Sequence, residues 1–76
     1  MEDRSTHYNV TANGRGTMAP QTFREAVGAV ALAAKAGQDW DVTVRGPDDS
    51  AYRYLTTSEA ARLVAAVRDR METPHD

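Results

Sequence analysis

Apolar and polar residues alternate along His7-Tyr8-Asn9-Val10-Thr11-Ala12 and again along Trp40-Asp41-Val42-Thr43-Val44-Arg45. A period of two is the mark of a strand with one buried face. The first run turns Tyr8, Val10 and Ala12 inward and His7, Asn9 and Thr11 outward. The second turns Trp40, Val42 and Val44 inward. Gly46-Pro47-Asp48-Asp49-Ser50 has the chemistry of a turn, and Ala51-Tyr52-Arg53-Tyr54-Leu55 reads as the returning strand. Placing Arg45 opposite Ala51 pairs Val44 with Tyr52, Thr43 with Arg53 and Val42 with Tyr54. Like then faces like, and Tyr52, Tyr54 and Trp40 join the core.

Two other stretches cycle at helical spacing. Phe23, Val27, Val30 and Ala34 line one face of a first helix. Its start is set either by Pro20 in the first helical position or by a capping box of Thr22 and Glu25. Gly37 suits the left-handed residue that ends it. Thr56-Thr57-Ser58-Glu59 is a second capping box, with Leu55 placed to staple onto Ala60. The helix behind it runs to about Glu72 on a stripe of Ala60, Leu63, Val64, Val67 and Met71, with Arg62, Arg68, Asp69 and Glu72 on a solvated face.

The predicted order is β-α-β-β-α, an α+β two-layer sandwich. A three-stranded sheet carries both helices on one face, and its first crossover is right-handed and parallel. Residues 7–72 form one domain, with a disordered segment at 1–6 and a frayed tail at 73–76. The opposite sheet face carries His7, Asn9, Thr11, Asp41, Thr43, Arg45 and Arg53.

The first helix departs from the simple pattern. From Ala26 to Ala36 it is apolar almost all round, broken only by Lys35. One apolar stripe suffices for a helix on a core, so a second apolar side calls for a second partner. Gly28, Ala29, Leu32 and Ala36 make up that side and are the expected contact surface of a homodimer.

Size strengthens the expectation. A chain of 76 residues, 41% hydrophobic with much of that alanine, builds a core that rarely supplies more than about 3–5 kcal/mol. Oligomerisation is a common remedy. The chain has no cysteine, which excludes disulfides and thiolate metal sites. Its start is polar, without a signal-like apolar core, and the reading is cytoplasmic. A single lysine, no isoleucine and an arginine-rich basic set suggest a GC-rich bacterial or phage genome.

Net charge is −2, so no global attraction to nucleic acid exists. Arg45 and Arg53, with Thr43 nearby and Arg15 at a loop tip, still offer a second reading: weak nucleic-acid binding on the open sheet face. Gly14 and Gly16 begin a dinucleotide-type fingerprint, but Ala19 occupies the third glycine position. Asn13-Gly14-Arg15-Gly16 is a turn cluster by composition and is expected to be a plain flexible loop and not an anion cradle. Asp39, Asp41, Asp48 and Asp49 do not converge as a hard-cation site requires, and His7 and His75 have no local nucleophile or base beside them. No catalytic, cofactor or metal residues are assigned. The expected function is a non-enzymatic protein-interaction or regulatory module, homodimeric through the first helix.

Overall fold

The computed structural model describes residues 6–16 and 21–72. Pro20 and Ala19 lie outside the described residues, as do 73–76 and, of the 1–6 segment, all but Thr6. The chain forms β1 (His7–Ala12), β2 (Arg15–Gly16), α1 (Phe23–Lys35), β3 (Trp40–Arg45), β4 (Arg53–Tyr54) and α2 (Thr57–Glu72). An antiparallel sheet of order β2-β1-β3-β4 is packed by both helices.

The α+β class stands, but the sheet has four strands and not three. Asn13-Gly14 is not a flexible loop: φ is 53° at Asn13 and 83° at Gly14. Two consecutive left-handed residues make the hairpin turn that Asn-Gly favours. Ala12 thus pairs with Arg15 and Thr11 with Gly16.

That hairpin also reverses the expected crossover. Beyond β2, Tyr8 and Gln21 exchange both backbone hydrogen bonds, at 2.8 and 3.0 Å. The chain has returned to the beginning of β1 before α1 starts. α1 then climbs beside β1, and β3 enters opposite Ala12 and descends, pairing antiparallel from Ala12–Trp40 to His7–Arg45. The parallel-crossover rule applies to a strand that feeds its helix directly; here a hairpin intervenes.

Local capping chemistry sets both helices. Thr22 is the N-cap of α1 and forms the full reciprocal box with Glu25. At the other end Gly37 takes φ 71°. Its N–H donates to Ala34 and that of Gln38 to Ala33, the double closure of a Schellman ending. In α2 the Glu59 N–H donates to Thr56 Oγ1 at 3.2 Å, and the Thr56 N–H to Glu59 Oε1 at 2.8 Å.

The core is Val10, Val42 and Val44 of the sheet, Leu63 and Val67 of α2, and Ala26, Val27, Val30, Ala31 and Ala33 of α1. Three of these are alanines. Small side chains let α1 approach the sheet and α2 together, so a wide arc of it is buried. Arg62 stacks over Phe23 at 4.3 Å, and Arg70 lies beside Gly28. The helices therefore run side by side in one direction.

The β3–β4 register is one residue from the expected one. Thr43 pairs with Tyr54 and Val44 with Arg53. Because faces alternate, the slip exchanges the roles of the two residues. Arg53 belongs to the helix side, not the open face, and Tyr54 stands on the open face at 73% exposure. On that side the Arg53 guanidinium meets Glu59 at 2.9 and 3.2 Å and Asp49 at 3.4 Å, contacts that the expected register would not give it. Trp40, Tyr52, Val64 and Met71, expected in the core, are also exposed to a substantial degree.

Candidate interaction surface

The outward side of α1 meets the end of α2 in a shallow groove of about 170 Å³, lined by Gly28, Ala31, Leu32, Lys35, Arg70 and Met71. α2 satisfies part of the second apolar side that the sequence displays: Ala31 is buried, and a side chain on Gly28 would come within 3.6 Å of the Arg70 guanidinium. Ala29 is half-buried against the core. Leu32 and Ala36 remain outside, and Leu32 is 71% exposed. The structure thus brings Gly28 and Leu32 to one groove, with Ala36 one turn beyond Leu32. Arg70 and Met71 were not legible as part of this surface, because only helix packing brings the last turn of α2 beside α1.

A second groove, of about 160 Å³, lies where α2 stops covering the sheet. Trp40, Val42, Tyr54, Leu55, Leu63 and Val64 are among its walls. β4 pairs only with Thr43 and Val44, so no described strand covers this edge of β3 along Trp40–Val42. The Val42 N–H there donates to the carboxylate of the neighbouring Asp41 at 2.8 Å.

The arginines of the nucleic-acid reading do not converge. Arg15 sits on β2 at the far side of the sheet from Arg53 on β4. Arg45 pairs with His7, and its Nε donates to the Asp49 carbonyl at 3.2 Å. Arg53 is held by Glu59 and Asp49. Thr43 shares the open face with Tyr54.

Among the described residues, an ion-pair clamp joins β4 to α2. The Arg53 guanidinium, with help from the Thr56 backbone N–H, holds the Glu59 carboxyl down at about 2. Glu59 in turn raises Arg53. Asp49 Oδ2 accepts from the Gly46 N–H at 2.8 Å and closes the preceding turn. These acids serve the hairpin, and among the described residues no three His, Asp or Glu side chains gather as a metal site. Among the described residues no helix is long and apolar enough to cross a membrane.

No protein-family model, curated protein or solved structure matches this chain.

Proposed function

We propose that this protein is a small, non-enzymatic interaction or regulatory module that self-associates through the outer side of α1. The observation that carries the reading is Leu32. It is largely exposed beside a groove formed by Gly28 and the end of α2, while the core on the other side of α1 is already complete without it. Apolar side chains gathered around a groove mark interaction sites more often than a scattered apolar residue does. Light scattering on a sizing column tests it. The wild-type chain is expected at twice its 8.3 kDa mass, and Leu32→Arg at the monomer mass. A wild-type chain that stays monomeric at high micromolar concentration would sink the proposal.

A second reading draws support from Tyr54. An exposed aromatic on the open sheet face, with Arg45 on the neighbouring strand, resembles the stacking surfaces that hold single-stranded nucleic acid. The net charge and the commitment of Arg53 to Glu59 weigh against it. Fluorescence anisotropy with a single-stranded oligonucleotide at low salt decides. This reading requires binding that declines with salt and is lost in Tyr54→Ala.

A further inference from the structure

We infer that α1 pairs with α1 of a second copy in antiparallel orientation, with Leu32 of each copy seated against Gly28 of the other and Glu25 of each beside Lys35 of the other. The inference rests on the self-association proposed above and specifies its geometry and the residues that select it.

Glu25, Gly28, Leu32 and Lys35 are spaced three, four and three residues apart. That spacing forms one continuous seam along a helix, as in two-stranded coiled coils. The seam holds one projecting side chain, Leu32, and one recess, the groove at Gly28 bounded by Ala31, Arg70 and Met71. A projection and a recess on the same face are self-complementary under two-fold symmetry, which is how an isologous dimer closes.

Charge decides among the ways of pairing two such seams. A parallel pair sets Glu25 against Glu25, Lys35 against Lys35 and the two Gly28 recesses against each other. An antiparallel pair centred on Leu32 sets each Gly28 recess against Ala36 and leaves Glu25 beyond the last turn of the second copy's α1, which closes at Gly37. The first arrangement places like charges together, and the second leaves Glu25 and Lys35 without opposite charges. The antiparallel pair centred midway between Gly28 and Leu32 matches Glu25 with Lys35 at both ends and fills both recesses with leucine. Glu25 is also steady: its Oε1 accepts the Thr22 N–H at 2.8 Å, which orients the carboxylate at the first turn.

The cysteine-free chain permits a direct test. Glu25→Cys and Lys35→Cys are prepared separately, and each is oxidised alone and as a mixture. In the inferred dimer, identical positions lie about 15 Å apart along the helix axis, ten residues at 1.5 Å each, so neither variant crosslinks with itself. The mixture is expected to give a disulfide-linked heterodimer. Self-crosslinking of either variant as fast as the mixture would overturn the antiparallel register. Since Glu25→Cys also removes a helix cap, Lys35→Glu is a second probe that leaves the cap intact. It is expected to raise the dimer Kd by ~tenfold and Lys35→Arg to leave it near wild type. A wild-type dimer indifferent to Lys35→Glu would overturn this geometry while leaving self-association standing. A wild-type monomer would overturn both.

Discussion

The outer side of α1 and the free edge of β3 both expose apolar side chains around a groove of similar size, yet they are built differently. At the β3 edge, Asp41 occupies the Val42 N–H with its own carboxylate, and the edge offers few backbone groups to another chain. β4 is only two residues long. Short edge strands and charges placed at an edge are devices that prevent strand pairing between molecules. Among the described residues no such device protects Leu32. The charged residues in its seam, Glu25 and Lys35, are of opposite sign and sit at opposite ends of α1. In the proposed dimer they fix the orientation of the second copy without repelling it. At the sheet edge the chain's own groups block contact, whereas on the outer side of α1 no described group does.

Four measurements bear on that contrast. Leu32→Arg is expected to have the largest effect. A symmetric dimer loses two leucine burials at about 2 kcal/mol each, so Kd measured by analytical ultracentrifugation should rise ~1,000-fold. The thermal midpoint of the monomer should stay nearly unchanged. Asp41→Val should act in the other direction at the sheet edge. With the Val42 N–H released and a β-branched residue added, light scattering should detect species larger than a dimer that grow with concentration. A mass equal to wild type would show that the short β4 and α2 protect the edge without Asp41.

Trp40→Ala sharpens the contrast from the stability side. Trp40 is 37% exposed, so its removal should cost about 1–2 kcal/mol in urea unfolding, less than truncation of a fully buried aromatic. The Kd of self-association should not move. The smallest effect concerns pH. Glu59 lies well below its ordinary value of 4.5 in the folded chain. Between that value and about 2 the unfolded chain binds the proton that the folded chain refuses. The contribution of the clamp is therefore present above about 4.5 and is lost as the pH falls toward 2. Solvent screens this exposed pair, so thermal melts across the window should show a modest slope that Glu59→Gln reduces.

Much of the local structure was legible in the chain. The capping box of α2, the glycine that ends α1 and the burial of Val10, Val42 and Val44 depend on residues a few positions apart, and each holds in the fold; of the two starts open to α1, Thr22 is the cap, and Trp40 is exposed. Asn13-Gly14 is a strong turn signal, but a turn cluster by itself does not show that Arg15 and Gly16 pair back onto β1 as the fourth strand. The register of β4 was not open to pattern matching. Pairing apolar with apolar puts Tyr54 on the helix side of the sheet, whereas in the fold that side goes to Arg53, which stays exposed and pairs with Glu59, six residues along.

By itself, the sequence was enough to locate both helices, β1 and β3, the start of α2 and the end of α1, because capping and turn preferences act within a single turn of chain. It also placed Leu32 on the far side of α1 from the Val27–Val30 stripe, a matter of helical angle alone. Tertiary structure decided the rest. It set β3 antiparallel to β1, since that depends on where the first hairpin delivers the chain. It brought Arg70 and Met71 beside Gly28, and so made a groove out of what the sequence displays only as small residues. A groove is a relation between two helices, and no spacing within either one encodes it.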